Sequence, residues 1–372
     1  MSCRVVILAD ASAHWKIAGL RQLDRLALEV KELAAARDEA VKFIISWSSD
    51  VPSEKRFLPQ HPRLSHLDFA EAPPEQADLF LSTRIFLYRK SPLVASHLAT
   101  VSIDGPQTTG EIRAAWPNSK ALAGWEYLDD PGQIAVCEKS LLRGSSKSQD
   151  GLVSRFINRP LSRALSRMLL RTSITPSAWT LAIFVLPLIG SGLLARGDYA
   201  SSVFGLLVFQ IYSILDGCDG EIARAKYLES RHGQQLDTWC DVLGNLLMAL
   251  SLGYGLSAHG ISRYFLEGMI VALLIATNEL ILLLPAASAG QTPAAKIESA
   301  LYPRHQQIVA NSGLLFFGAR FAGWLIQLTK RDVALLAFLF LALAGRPAWI
   351  LHLLGAVAAG SSLLALRSFS RR

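Results

Sequence analysis

DGCDGEIARAKYLESRHGQQLDTWCD, residues 216–241, is a charged stretch set between apolar runs. The seventeen residues before it, Tyr199–Leu215, carry no charged side chain, so its first acids arrive at the end of a span suited to lipid. Asp216 and Asp219 stand at i, i+3 on one helix, and Asp237 and Asp241 at i, i+4 on the next. Each pair shares a helix face. A short polar turn then brings the two helices together antiparallel, and the acids converge at one membrane boundary. Carboxylates there are costly unless they are paired or hold a cation. A donor set made only of carboxylates selects Mg2+, Mn2+ or Ca2+ over zinc. Four acids can hold two divalent ions, the arrangement that clamps a transferring phosphoryl group. Gly220, Ala223 and Gly233 are small where a bulky ligand has to approach the backbone, and Arg224 can offset phosphate charge or orient a carboxylate. Two other readings stay open: acids lining an ion or proton path, and a solvated loop with chance spacing.

Working outward, the apolar runs gather after residue 177, and the 51% hydrophobic content of the 372 residues suits a chain partly solvated by lipid. Six spans are expected, at 177–195, 199–218, 238–257, 264–286, 332–345 and 348–366, each near the ~20 residues a bilayer core requires. Most arginines and lysines fall on the side of the acidic stretch, while Arg196, Arg263 and Arg346 lie opposite. That asymmetry puts both termini and the acids on the cytoplasmic side. Residues 313–328, interrupted by Arg320, read as interfacial. The net charge of +7 is modest for nucleic-acid binding, and the basic residues flank apolar spans without interleaved aromatics. Lipid headgroups and phosphates fit it better; no nucleic-acid partner is expected.

The first half reads differently. Cys3–Asp10 and Val41–Ser46 are β-branched runs typical of buried strands, Gly19–Ala36 is an amphipathic helix, and Asp78–Tyr88 is a further strand. Residues 1–140 are therefore expected to form a cytoplasmic α/β domain with some parallel sheet. Residues 141–176 follow as a linker and an arginine-rich interfacial helix, and 177–372 as an all-α, six-helix transmembrane domain. Met1–Asp10 has the character of a strand and not of a signal peptide. Cys3, Cys137, Cys218 and Cys240 form no CxxC pair, as in a reduced compartment. Arg155, Arg159, Arg163, Arg167 and Arg171 recur every fourth residue, roughly 400° around a helix, on a slowly drifting face. Such a face either lies on anionic lipid or lines a phosphate site.

The pattern Asp216-x-x-Asp219-Gly220-x-x-Ala223-Arg224, then eight residues, then Gly233-x-x-x-Asp237-x-x-x-Asp241 resembles, at every position, the signature of the CDP-alcohol phosphotransferase family, also called CDP-alcohol phosphatidyltransferases. The resemblance implies six transmembrane helices in an inner (plasma) membrane, a homodimer, and a place in phospholipid biosynthesis. It implies two Mg2+ or Mn2+ ions held by Asp216, Asp219, Asp237 and Asp241, with Asp241 also the general base. Asp216, Gly220, Ala223, Arg224 and Gly233 would border the CDP group. A CDP-alcohol donor, either CDP-diacylglycerol or a soluble one such as CDP-inositol, would pass its substituted phosphate to an alcohol or phospho-alcohol acceptor and leave CMP. A longer likeness, from Lys147 to Trp179, is similar to the linker and entry helix of enzymes that make di-inositol-phosphate phosphate. By it, Lys147, Arg155 and Arg159 would form a pocket for an acceptor phosphate. Ser177 departs from that pattern, where relatives carry Asn.

In rhythm and position, residues 1–140 resemble a nucleotidyltransferase. Such enzymes cradle a triphosphate on a glycine-rich loop after the first strand. Here Leu8–Gly19 reads LADASAHWKIAG, with His14 and Trp15 where small residues belong, and Lys16 and Asp104 as the only candidate remnants. The expectation is a degenerate domain. The alternatives are a bifunctional enzyme whose first domain makes the CDP-alcohol from CTP and, from another class, a cation-coupled membrane transporter.

Overall fold

The computed structural model describes residues 2–73, 77–89, 91, 94, 96–97, 108–116, 124–144, 150–258, 262–283 and 330–370. Asp104, Lys147 and the stretch 313–328 lie outside them. The chain forms two compact units. The first comprises Met1–Ser145 together with the short stretches Arg167–Ser173 and Arg224–Tyr227; the second holds the rest.

The first unit is built on β1 (Ser2–Ala9). Val5, Val6 and Ile7 are wholly buried, as befits a strand covered on both faces. A hairpin of β2 (Lys16–Ile17) and β3 (Leu20–Arg21) leads into α1 (Gln22–Ala35). The helix begins later than its periodicity suggests because Ala18 and Gly19 take positive φ and turn the chain into the hairpin. β4 (Ala40–Trp47), β5 (Phe69–Glu71) and β6 (Leu79–Ser82) complete a parallel sheet in the order β5-β4-β1-β6. Val5 sits opposite Phe43 on one side and Leu79 on the other. The single strand expected over 78–88 is two. A turn at Thr83–Arg84 ends β6, and β7 (Ile85–Leu87) pairs antiparallel with a strand at Trp125–Tyr127. α2 (Thr109–Ala115), that strand (β8) and α3 (Ile134–Gly144) close the unit.

In the second unit a π-helical turn, Ser154–Asn158, runs into α4 (Arg159–Leu169). Its buried face is polar (Asn158, Arg159, Ser162, Ser166), while Phe156 and Met168 are 73% and 68% exposed. The exposed side also carries Arg155 and Arg167, a mix of apolar and basic groups that suits a helix at a membrane interface. α5 (Pro176–Ile183) and α6 (Val185–Leu194) form one span broken at Phe184, followed by α7 (Tyr199–Ala225), α8 (Arg231–Ser257) and α9 (Arg263–Leu283). α10 (Arg331–Leu343) and α11 (Pro347–Ser370) end the chain. Three of the described helical stretches, Pro176–Leu194, Tyr199–Ala225 and Arg231–Ser257, are long and apolar enough to cross a membrane. The chain is therefore read as an integral membrane protein, with three of the six expected spans accounted for.

Leu206, Phe209, Met248, Leu252, Val271 and Leu335 share the apolar core of this unit. Gly253 of α8 and Gly268 of α9 bring two backbones into contact: a Cβ on Gly253 would stand 2.9 Å from the Cα of Gly268. Such close approach is how helices hold together where lipid removes the hydrophobic drive.

Candidate active site

α7 and α8 are joined by the five residues Lys226–Ser230. Ser230 starts α8 by accepting the amide of Gly233 at 3.0 Å, which fixes the first turn of the helix bearing the second acid pair. Gly233 sits close under that cap, its missing Cβ 3.0 Å from Ser230 Oγ. Carboxylate oxygens of Asp216, Asp219 and Asp237 lie within 4.8 Å of one another. The i, i+3 pair and the first acid of the i, i+4 pair thus meet as their spacing predicts.

Asp219 is oriented from two sides. Thr180 Oγ donates to its Oδ2 at 2.9 Å, and its other oxygen accepts the amide of Gly220. Trp179, next to Thr180, donates its indole N–H to the carbonyl of Leu215 at 3.0 Å, tying α5 to α7 one residue before Asp216. Oδ1 of Asp216 is buried and has no hydrogen-bond partner among the described residues. A buried carboxylate oxygen left in that state beside two more acids is a place for a cation. The donors are all hard oxygens, so the set fits Mg2+ or Mn2+. Asp216, Asp219 and Asp237 would hold such an ion.

Asp241 is placed differently. Its Oδ1 accepts from Tyr212 Oη at 3.1 Å and from Arg331 Nη1. The Arg331 guanidinium lies 5.1 Å from the centre of the Tyr212 ring, so one α7 side chain and the first residue of α10 hold this acid together. Gly220 and Ala223 sit half-buried on the same helix as the first acid pair, and Arg224 ends that run.

The basic helix divides its arginines. Arg155 lies exposed in the π-helical turn. Arg159 is turned inward, with Nε and Nη2 on the two oxygens of Asp150 at 2.9 and 2.8 Å and Nη1 on Glu221 at 3.3 Å. Burial alone would weaken its hold on a proton, but Asp150 and Glu221 outweigh that and strengthen it. Arg159 is thus occupied by two carboxylates, and Ser162 adds a bond to Glu221 at 2.9 Å. Nearby, Asp332 accepts the amide of Ser154 at 2.5 Å, and Gly151 packs against its carboxylate with no room for a Cβ.

Thr180, Tyr212, Glu221 and Arg331 were not singled out from sequence. Glu221 carried a signal, being a further acid inside the stretch but off the face of Asp216 and Asp219. Arg331 opens an apolar run, which marks a membrane boundary but not a partner. Thr180 and Tyr212 are ordinary residues for a span.

In the first unit, the loop after β1 folds back on itself. Asp10 accepts the amide of Ser12 at 2.8 Å and pairs with Arg84 Nε at 2.6 Å. Burial pushes its carboxyl up, but the Ser12 contacts and Arg84 together hold it below the usual range. Lys16 is exposed.

A cluster of oxygen donors at the end of paired membrane helices defines a class: membrane enzymes that handle phosphate esters with divalent cations. The chain belongs to the CDP-alcohol phosphatidyltransferase family, whose profile matches residues 173–360, half of the sequence. It is also similar to three proteins described as bifunctional IPC transferase and DIPP synthase. The one from Rubrobacter xylanophilus is 39% identical over 157 residues, covering 39% of this chain and 35% of that protein. The one from Thermococcus kodakarensis is 35% identical over 131 residues (34% and 29%), and that from Aquifex aeolicus 36% over 118 residues (32% and 26%). The matched stretches span about a third or less of those relatives' lengths.

Proposed function

We propose that this enzyme transfers a substituted phosphate from a CDP-alcohol to an acceptor hydroxyl and releases CMP. The meeting of Asp216, Asp219 and Asp237 at the end of two membrane helices carries the reading. Bound divalent cations would supply charge neutralisation on the pyrophosphate of the donor. The chain's own residues do the rest. Gly220, Ala223 and Gly233 leave room for the cytidine end, and Arg224 closes that side. Asp241 takes the proton of the attacking hydroxyl, which requires its pairing with Arg331 to open. The guanidinium so released is placed to meet phosphate charge. The spans beyond the first three would be α9, α10 and α11, giving six, with both termini and the site cytoplasmic and a homodimer as the assembled form.

A phosphorylated acceptor is the favoured one. Lys147, Arg155 and Arg159 were expected to bind its phosphate; the ties of Arg159 to Asp150 and Glu221 favour Arg155 as the contact. Burial weakens the hold of Lys330 on its proton; Asp332 and Asp150 oppose that, and Arg155 adds a smaller effect in the direction of burial. The donor is then a soluble CDP-alcohol such as CDP-inositol, or CDP-diacylglycerol where the product is a lipid.

The test is CMP release by purified protein across CDP donors and alcohol acceptors, with and without Mg2+. Mg2+-dependent CMP formation is expected. Cation flux in liposomes without CMP would replace the enzyme with a transporter.

A second reading adds synthesis of the CDP-alcohol from CTP in the first unit. The bifunctional descriptions of the relatives favour it over a degenerate first unit. Against it stands the loop after β1, whose Ser12 amide is taken by Asp10. Pyrophosphate released from CTP and a phospho-alcohol decides between them.

A further inference from the structure

The last carbonyls of a helix lack partners within it. At the end of α7 the first unit supplies them. Arg89 Nη1 donates to the carbonyl of Arg224 at 3.1 Å, and Arg25 Nη2 to that of Ala225 at 2.7 Å. His61 Nδ1 accepts the amide of Arg63, so Nε2 carries the proton and donates to the carbonyl of Lys226 at 3.1 Å. Three successive carbonyls thus receive side chains from three separate segments of the α/β unit, two of them cationic and favoured at a helix C-terminus.

The next residue, Tyr227, has φ +55°, a left-handed conformation that a tyrosine adopts only when held there. Its hydroxyl donates to Glu29 on α1, the Arg89 guanidinium lies 4.4 Å from its ring centre, and the ring is wholly buried in the core of the α/β unit. Lys226 Nζ reaches the carbonyl of Thr172 at 2.7 Å. Gly19 fits this corner so closely that a Cβ would stand 2.5 Å from the carbonyl oxygen of Leu170 and 2.8 Å from Lys226 Cε.

Tyr227 stands midway between the two halves of the acidic motif. Asp219 precedes Ala225 by six residues of unbroken helix, about 9 Å, and Asp237 follows within the second turn of α8. Tyr227 thus lies in the five-residue connection between the two acid-bearing helices.

We infer that the amino-terminal α/β unit is a positioning device for the membrane site, with Arg25, His61 and Arg89 capping α7 and Glu29 locking Tyr227. The inference rests on the transferase reading for its chemistry, and it holds whether or not the unit has a reaction of its own. It gives a role to the buried polar network around a turn of the transferase motif, in a unit whose loop after β1 carries His14 and Trp15 where small residues belong.

The test uses full-length protein in detergent and the variants Arg89→Met, Arg89→Lys and Arg25→Met. Mn2+ binding is read by electron paramagnetic resonance, alongside the Mg2+ needed for half-maximal CMP release and the acceptor KM. Arg89→Met should weaken Mn2+ binding and raise the Mg2+ requirement about 10- to 100-fold, the usual effect of disturbing outer support of a metal site. The acceptor KM should stay within about twofold, and Arg89→Lys should restore most of the loss. Arg25→Met, if it folds, should behave as Arg89→Met does. A folded Arg89→Met protein with wild-type Mn2+ affinity overturns the inference. Wild-type protein that binds Mn2+ but forms no CMP, with Arg89→Met still weakening the metal, would sink the transferase reading and leave the positioning role standing.

Discussion

Replacing Arg159 by methionine separates two accounts of the basic helix. An arginine in an acceptor pocket, once removed, raises the acceptor KM and leaves the fold alone. The structure gives Arg159 a different load. Its guanidinium makes two bonds to Asp150, one to Glu221 and a long one of 3.4 Å to the carbonyl of Gly217. Glu221 is wholly buried and the Asp150 side chain is 9% exposed, so deleting the cation strands two carboxylates away from water. Breaking a buried pair in this way costs about 3–5 kcal/mol. Thermal unfolding followed by tryptophan fluorescence in detergent should show that loss for Arg159→Met. The triple variant Asp150→Asn, Arg159→Met, Glu221→Gln should recover a good part of it, since no charge is then left unpaired. An Arg159→Met protein that unfolds as wild type does, and differs only in acceptor KM, would refute the structural role and return Arg159 to the phosphate pocket.

Other expectations follow from the same geometry. Thr180→Val removes the donor to Asp219 while keeping its shape, and the Mg2+ requirement for CMP release should rise about tenfold or more; an unchanged requirement makes that hydroxyl irrelevant. Asp241→Asn should abolish turnover with the helices intact by circular dichroism, because a carboxamide cannot take the proton. Arg155→Ala should raise the KM of a phosphorylated acceptor and leave a neutral one untouched. Burial first, opposed by the Tyr227 hydrogen bond and by Arg25 and Arg89 and aided by Glu32, pushes the Glu29 carboxyl from 4.5 up to about 7. A raised acid favours the folded state while protonated. Stability is therefore full below about pH 4.5 and falls by on the order of 3 kcal/mol as pH rises through 7. Glu29→Gln should flatten that slope in pH-dependent melts.

How much of this was legible depended on whether the signal was local. The spacing of the acids placed Asp216, Asp219 and Asp237 together, because i, i+3 and i, i+4 fix a face once a helix is granted. Val5–Ile7 and Phe43–Ile45 announced a buried parallel sheet through β-branched and aromatic runs. Thr83–Arg84 hid from the same reading, since both residues suit a strand and the turn is set by bonds to Ser82 and Asp10, distant or invisible in the pattern. The four-residue spacing of the arginines was misleading in a physical way. Residues four apart need not share surroundings: Arg155 is exposed, while Arg159 is buried against Asp150 and Glu221. Arg331 is ninety residues from Asp241, and no period in a sequence reports a contact of that range.

α7 shows why one acidic stretch contains two kinds of acid. Glu221 lies five residues after Asp216, roughly 140° further around the helix. It faces Arg159 and Ser162, a cation and a hydroxyl supplied by α4. Charge that is matched this closely, with Asp150 completing the group, cannot also serve a substrate without unbuilding the fold. Asp216 has a buried oxygen with no hydrogen-bond partner among the described residues and two more acids within reach. Burying an unsatisfied carboxylate oxygen is costly, and a divalent cation shared by the three acids would answer it. Within α7, Glu221 and Asp216 are therefore told apart by what answers them. A fixed arginine at Glu221 marks a brace, and the gap at Asp216 marks the place where a divalent cation and a phosphate ester would meet.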